Sequence, residues 1–263
     1  LADQSRPPEA VQFLDTTERE AVAEMLAARG LIDAIIPRGG KGLIDHCISH
    51  AQVPVIETGA SVVHTYVDEL ANLSKAVDIV ANEKTRRVSV CNAIVTVLVH
   101  QAVAQTFLPE LARRFQRLHQ EQETPLVELH ADPHALQLIS ELGYESVVPQ
   151  AEDDLATEWL DYRLNVCILP SFDAALEHIR RYSLGHSESI CSEDPRRVER
   201  FLREVDAACV FANVSTAFAD GAQFGLGAEI GISTQKLHVR GPFALERLTS
   251  TKWVVRGNGQ IRL

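Results

Sequence analysis

Short apolar runs and longer amphipathic segments follow one another along the chain. Runs rich in β-branched residues predict strands, at residues 11–14, 31–36, 53–56, 62–67, 94–99, 126–129, 164–168 and 208–211. Apolar residues at helical spacing predict helices, at residues 17–30, 70–82, 103–119, 133–142, 171–182 and 195–204. Strands that alternate with helices are typical of an α/β fold built on a parallel sheet.

The same pattern predicts two bodies and a tail. The strands before residue 68 are predicted to end one open parallel sheet, and the alternation after Cys91 predicts a second α/β domain. A capping box of Thr17 and Glu20 marks the start of the first helix. Residues 251–255 form a β-branched and aromatic run, which predicts a strand near the C-terminus.

The composition limits the classes of partner. The chain has 25 basic and 36 acidic residues, and the resulting net charge of −11 opposes binding to a nucleic-acid backbone. No apolar run approaches the roughly 18 residues that a membrane helix needs, so no membrane segment is expected. The five cysteines contain no CxxC pair, which favours reduced thiols and a cytoplasmic location. Because the chain begins with Leu1, a processed or truncated chain is considered.

The candidate chemistry centres on residues 89–93, Ser-Val-Cys-Asn-Ala. Cys91 lies between a basic run and an apolar run, and it is therefore predicted to sit in a connection. A thiol with a pKa of about 8.5 becomes a useful nucleophile near neutral pH when cations, N–H groups or a base stabilise its thiolate. Lys84, Arg86 and Arg87 supply such cations. On spacing alone, a small buried apolar cysteine is the alternative interpretation.

A glycine-rich turn at residues 38–42 lies between a predicted strand and a predicted helix. Such a turn lets the backbone approach a pyrophosphate. It lacks the complete GxGxxG or Walker spacing, so ordinary turn chemistry is the alternative. His46 and His50 have the spacing of helical metal ligands, but no third ligand is near them in the sequence and no metal is expected.

Three segments resemble gamma-glutamyl phosphate reductases, a family of the aldehyde dehydrogenase superfamily. The segments are residues 36–43 with 53–57, residues 84–93, and residues 224–242 with 256–260. The third contains the run Phe-Gly-Leu-Gly-Ala-Glu-Ile-Gly-Ile-Ser-Thr-Gln-Lys-Leu-His-Val-Arg-Gly-Pro. The resemblance covers essentially the whole chain in the family's order, and the chain starts well inside the family's sequence.

The resemblance implies a fold, a cofactor and a reaction. The implied fold is aldehyde dehydrogenase-like, with residues 1–72 as the remnant of an NAD(P)-binding domain, residues 73–238 as the catalytic domain and residues 239–263 as an oligomerisation tail. The implied reaction reduces L-glutamyl 5-phosphate with NADPH to L-glutamate 5-semialdehyde, through a thioester on Cys91, in proline biosynthesis. The implied partners are this small-molecule substrate, further copies of the chain in a homo-oligomer, and glutamate 5-kinase as a functional associate.

The resemblance also assigns roles to site residues. The residues assigned to the cofactor are Gly39, Gly40, Lys41 and Glu158. The residues assigned to the substrate and the leaving phosphate are Lys84, Arg86, Arg87, Asn213, Ser215 and Thr216. Asn92 is assigned beside the oxyanion, for which the backbone N–H of Cys91 is one donor. Glu57 is assigned a structural role, because the acyl-enzyme is reduced rather than hydrolysed.

Six residues depart from the family's pattern, namely Ser61, Val63, Arg86, Val88, Val95 and Ala217. These departures leave the affinity for substrate open. Two other functions stay open as alternatives: the reductase half of a bifunctional glutamate kinase and reductase, and a non-catalytic fragment. The retained Cys91 favours an enzyme. Because most of the dinucleotide domain is expected to be missing, we expect that the chain alone does not turn over substrate.

Overall fold

The chain divides into two compact units. The computed structural model describes residues 7–237 and 239–262, and the units meet in the sequence between Glu57 and Thr58. The family resemblance ends the first domain at residue 72, and that assignment stays a prediction. The sequence pattern assigns the strand at 62–67 to the first sheet, whereas strand β1, His64–Val67, is hydrogen-bonded on both sides to strands of the second unit. Among the described residues, no helix combines the length and the apolar character that crossing a membrane requires.

The first unit contains two α-helices, α1 (Arg19–Ala27) and α2 (Lys41–His50). The N-cap of α1 is Glu18, whose side chain makes no capping hydrogen bond, so the predicted capping box is wrong. Within the described part of this unit, extended segments form only two isolated bridges, Arg29 with Ile32 and Ile35 with Val55. A strand needs a hydrogen-bonded partner along its whole length, whereas these extended segments pair only at isolated residues. The predicted strands 11–14, 31–36 and 53–56 are therefore not formed.

The second unit is built on a seven-stranded parallel sheet. Its strands are β1, β2 (Thr96–His100), β3 (Glu128–Ala131), β4 (Val147–Pro149), β5 (Arg163–Leu169), β6 (Ser187–Cys191) and β7 (Cys209–Ala212). Their order in the sheet is β4-β3-β5-β2-β1-β6-β7. The helices are α3 (Leu73–Thr85), α4 (Gln101–Gln122), α5 (Pro133–Glu141), α6 (Phe172–Tyr182) and α7 (Pro195–Glu204). The predicted α/β fold on a parallel sheet is confirmed.

Different helices cover the two faces of this sheet. Val97 and Val99 of β2 join a core with α3, α4 and α5, whereas Leu98 joins a core with α6 and α7. Successive side chains of a strand point to opposite faces. A strand whose two faces are both covered tends to be apolar on both, which is why residues 94–99 form a β-branched and largely apolar run, interrupted by Thr96.

The sequence pattern does not predict β6, β4 or a small antiparallel sheet of β8 (Gly231–Ser233) and β9 (Gly241–Phe243). Strand β6 has the sequence Ser-Glu-Ser-Ile-Cys, yet all five residues are buried between β1 and β7. The Glu188 carboxylate accepts from His64 N at 2.9 Å and lies 3.0 Å from His64 Nδ1. Because a distant partner compensates this buried polar group, local hydrophobicity does not identify the strand.

The C-terminal tail is exposed and irregular. The described residues 249–262 contain no strand, so the predicted strand at 251–255 is not formed within this chain. Trp253 is 97% exposed, and Val254, Val255 and Ile261 are exposed as well. The role of residues 239–263 in assembly stays a prediction.

Candidate active site

Three segments that precede neighbouring strands meet at the amino edge of the sheet. Ser61 precedes β1, Cys91 precedes β2 and Glu158 precedes β5, and these strands are adjacent. Parallel strands begin at the same edge, so the three residues come together. Ser61 Oγ makes a hydrogen-bond contact with the carbonyl oxygen of Cys91 and lies 2.8 Å from Glu158 Oε1.

Ser61 joins the Cys91 segment to Glu158. Its backbone N–H donates to Glu158 Oε1 at 3.0 Å, and the residue is buried. Its hydroxyl carries a single proton, which serves either Glu158 or the Cys91 carbonyl at a given moment. Ser61 therefore links Glu158 to the residue of the candidate nucleophile through hydrogen bonds. Its role toward the cofactor stays a prediction.

Cys91 differs from the other cysteines in its exposure. All five cysteines lie in the described part of the chain; Cys91 is half-buried, and the other four are buried. Burial raises the pKa of Cys167 to about 12 and that of Cys209 to about 11. Cys91 packs against a small core of Cys209, Ala219 and Ile232. Because a reactive thiol must be reached by its substrate, Cys91 is the candidate nucleophile of this structure.

The residue after Cys91 is tied to the chain near residue 217. Asn92 Nδ2 donates to the carbonyl of Ala219 at 3.0 Å and to that of Ala217 at 3.5 Å. The carbonyl of Asn92 accepts from Thr216 Oγ1 at 2.8 Å. The structure therefore brings Thr216 to the reactive segment. With both amide hydrogens engaged, the Asn92 side chain tethers this segment, which does not fit a donor to a substrate oxyanion.

Ser215 and Asn213 have different surroundings. Ser215 Oγ donates to Asn82 Oδ1 of α3 at 2.9 Å. Asn213 Oδ1 accepts from Ser192 N at 3.0 Å, and its Nδ2 donates to Ser192 O at 2.8 Å. Ser192 follows β6 and Asn213 follows β7, so Asn213 joins the carboxyl ends of these strands. These contacts do not join Asn213 to the Cys91 segment, and its role in the substrate pocket stays a prediction.

Lys84 lies inside the fold, because α3 extends to Thr85 rather than ending at residue 82. Lys84 is 1% exposed, and its Nζ donates to the carbonyls of Ile94 at 3.0 Å and Arg163 at 2.6 Å. Burial lowers its pKa to about 7. This position contradicts the prediction that Lys84 binds the leaving phosphate. Arg86 and Arg87 follow the helix and are exposed, and their phosphate role stays a prediction.

The glycine-rich turn belongs to the first unit. Gly40 is the N-cap of α2, and Lys41 is the first residue of that helix. A Cβ at Gly40 would meet no atom within 4 Å, so the backbone is open to a ligand here. The free N–H groups of a helix start favour a phosphate, which fits the predicted dinucleotide role of Gly39, Gly40 and Lys41. Within the described ranges, no group of three or more His, Cys, Asp or Glu could hold a metal ion.

Comparison with known proteins gives close relatives over the whole chain. The chain is 47% identical over 262 residues to gamma-glutamyl phosphate reductase of Enterococcus faecalis, and 51% identical over 255 residues to that of Parabacteroides distasonis. The crystal structure of the Thermotoga maritima gamma-glutamyl phosphate reductase matches 97% of this chain with a TM-score of 0.88 at 42% identity. The chain is a homologue of gamma-glutamyl phosphate reductases.

This homologue spans only part of the length of its relatives. The two sequence matches include 100% and 97% of this chain but only 60% of each relative. The structural match includes 59% of the Thermotoga maritima chain. An acetylating aldehyde dehydrogenase from Geobacillus thermoglucosidasius matches 98% of this chain and 65% of its own, with a TM-score of 0.70 at 18% identity. That likeness confirms the aldehyde dehydrogenase-like fold. A scan against protein-family models finds no match.

Ser61 and Glu83 belong to this site, although the sequence analysis assigns a role to neither of them. Glu83 is 2% exposed and accepts hydrogen bonds from Thr65 and Thr216. Burial raises its pKa to about 7, against the effect of these hydrogen bonds. One signal could have identified it: Val80 faces the core, and residues three and four positions later lie on the same side of a helix. Ser61 has no comparable local signal.

Proposed function

We propose that this chain carries the reactive thiol of a gamma-glutamyl phosphate reductase, which reduces L-glutamyl 5-phosphate to L-glutamate 5-semialdehyde with NADPH. The observation that carries the proposal is the half-buried Cys91, on a segment that Ser61 and Thr216 hold by hydrogen bonds. The identity of 47% to a reductase over the full length of the chain supports the substrate class. A place in proline biosynthesis belongs to the same proposal.

In the proposed reaction, the Cys91 sulfur attacks the acyl carbonyl of the substrate. The new C–S bond forms, the bond from the acyl carbon to the phosphate oxygen breaks, and phosphate leaves with that electron pair. Arg86 and Arg87 are exposed within five positions of Cys91 and stabilise the leaving anion. NADPH, when bound, supplies the hydride that reduces the acyl group. The C–S bond then breaks, which releases the aldehyde and returns Cys91 to its thiolate form.

The tethers of the segment serve this chemistry. The nucleophile must remain close to the acyl carbon while phosphate leaves, and misplacement is costly. Contacts to the carbonyls of Cys91 and Asn92 restrict the two consecutive peptides that follow Cys91. Glu158 Oε1, held by Ser61, lies where the segments before three neighbouring strands meet, and we assign it to the cofactor.

The proposal also includes the assembly of the whole protein, a partner enzyme and a location in the cell. A homo-oligomer is supported by the exposed apolar side chains of the tail around Trp253. A functional association with glutamate 5-kinase is supported by the chemistry of acyl phosphates, because these hydrolyse readily in water. A cytoplasmic location is supported by the five cysteines, which are all in the thiol form.

Replacement of Cys91 tests the proposal. The protein that contains this chain is given L-glutamate 5-semialdehyde, phosphate and NADP+, and the formation of NADPH is followed. Cys91→Ser is expected to lower turnover by a factor of about 1,000 or more. Cys209→Ser, a neighbouring buried thiol, is the matched control and should keep activity. Equal turnover in the two variants would refute the role of Cys91.

A further inference from the structure

A buried carboxylate lies behind the reactive segment. Glu83 occupies the last turn of α3, and its carboxylate is enclosed. Its Oε1 accepts from Thr216 N at 2.8 Å, and its Oε2 accepts from Thr65 Oγ1 at 2.8 Å. Its backbone carbonyl also accepts from Ile94 N at 3.4 Å. Glu83 therefore joins α3 to the central strand β1, to the loop after β7 and to the residues that follow Cys91.

Thr216 connects this anchor to the segment of the nucleophile. While its backbone N–H is bound to Glu83, its hydroxyl donates to the carbonyl of Asn92 at 2.8 Å. Thr216 is fully buried, so water does not compete for these bonds. Two hydrogen bonds thus separate the Glu83 carboxylate from the residue next to Cys91. A shift of Thr216 would displace the Asn92 carbonyl, which lies one residue after Cys91.

The charge on Glu83 sets the strength of the anchor. A carboxylate accepts stronger hydrogen bonds than a neutral acid or amide does. Burial raises the pKa of Glu83 to about 7, whereas the bonds from Thr216 and Thr65 lower it. The ionised form therefore dominates only above neutral pH. We expect Thr216 to be held more firmly there than in acid.

Other titratable and charged groups lie on the elements around Glu83. On β6 the nearby titratable group is the Cys191 thiol, whose pKa is raised by burial and by Glu83. On α4, Arg114 pairs with Asp78 of α3 at 3.2 Å. Asp78 lies more than one helical turn before Glu83 in α3. Lys84, the adjacent cation, has a pKa lowered to about 7 by its burial and donates to two backbone carbonyls. A Glu83→Gln variant removes the Glu83 step and leaves the Lys84 step in place.

We propose that Glu83 is a positioning residue for the reactive thiol: it holds Thr216, and Thr216 holds the Asn92 carbonyl so that Cys91 is directed toward the substrate. This inference deepens the proposed reductase function and rests on it for the reaction that the thiol performs. The geometry of the thiol can be tested without that reaction.

Alkylation of Cys91 by iodoacetamide, without substrate, provides the test. The rate is measured on the full protein from about pH 6 to pH 8, with the modified cysteine identified by peptide mass. Glu83→Gln keeps the size of the side chain and an acceptor for Thr216 N, so the variant is expected to fold. The rate ratio of wild type to Glu83→Gln should change about fivefold across this range, because only wild type gains the ionised anchor. The kcat of the reductase should follow the same ratio, with little change in KM.

Two further variants make the result specific. Asn82→Ala removes a hydrogen bond of 2.9 Å between the same helix and the same loop without touching Thr216, and it should behave like wild type. Thr216→Val keeps the backbone bond to Glu83 but removes the hydroxyl that holds Asn92. In that background, Glu83→Gln should have no further effect on the alkylation profile.

The outcomes separate this inference from the proposed function. Superimposable profiles of wild type and Glu83→Gln would overturn the positioning role, as would the same change in Asn82→Ala. Additive effects of Glu83→Gln and Thr216→Val would overturn the path through Thr216. A protein with the expected alkylation profiles but no reductase turnover would support the positioning role and overturn the proposed function.

Discussion

Burial of Lys84 makes the stability of the second unit depend on pH. Burial lowers its pKa from 10.5 to about 7, with Asp161 acting in the opposite direction. The unfolded chain, with the higher pKa, binds more protons than the folded chain between these two values. The contribution of Lys84 to the free energy of unfolding therefore increases as pH rises from about 7 toward 10.5 and is lost as pH falls through that window.

The size of the change in the free energy of unfolding follows from the difference between the folded and unfolded pKa values of Lys84. Each pH unit inside the window changes the free energy of unfolding by roughly 1.4 kcal/mol. The half-buried His178 and the buried His186 have lowered pKa values and act below their unfolded value of 6.5, and Glu83 acts between 4.5 and about 7. The buried thiols act above their unfolded value of 9.0. Between about pH 7.5 and 9, Lys84 should therefore add roughly 2 kcal/mol.

Lys84→Met tests this estimate, because methionine fills similar space without an ammonium group. Urea unfolding is followed by the fluorescence of Trp159 in a Trp253→Phe background, which leaves one tryptophan, in the same unit as Lys84. The advantage of the parent over Lys84→Met should grow by roughly 2 kcal/mol between about pH 7.5 and 9. Lys75→Met, on the exposed side of the same helix and paired with Glu193, is the control and should keep the parent's slope. Parallel pH profiles for the parent and Lys84→Met would refute the reasoning.

Other consequences can be measured with simple assays. In the folded protein, Cys91 should react with an aromatic disulfide reagent before the other four thiols; a second fast thiol would contradict their burial. Replacing Arg86 and Arg87 by alanine should raise the KM for phosphate in the reverse reaction by about tenfold, and an unchanged KM would remove both from the phosphate site. Deleting residues 251–263 should lower the mass measured by light scattering, because exposed apolar side chains such as Trp253 are lost; an unchanged mass would exclude the tail from assembly.

Local signals in the sequence determined the elements whose causes are themselves local. Helix α7 has its predicted bounds because Asp194 accepts from Arg196 N and Pro195 occupies the first turn. Strand β2 follows from a β-branched run with apolar residues on both faces, Val97 and Val99 on one and Leu98 on the other. The position of Cys91 between a helix and a strand follows in the same way. The family resemblance of three segments indicated its chemistry and was confirmed by the sequence and structure comparisons.

Only the tertiary structure decided which polar groups find partners. Ser61 and Glu158 are 97 positions apart, and Glu83 and Thr216 are 133 apart, so no local pattern links them. For the same reason, the basic run before Cys91 predicts three exposed cations, whereas the extended helix α3 buries Lys84 against the carbonyls of Ile94 and Arg163. Hydrophobic periodicity records which face of an element is covered. It carries no record of the distant donor or acceptor that lets a charged group lie there, because that partner is supplied by the packing of the whole unit.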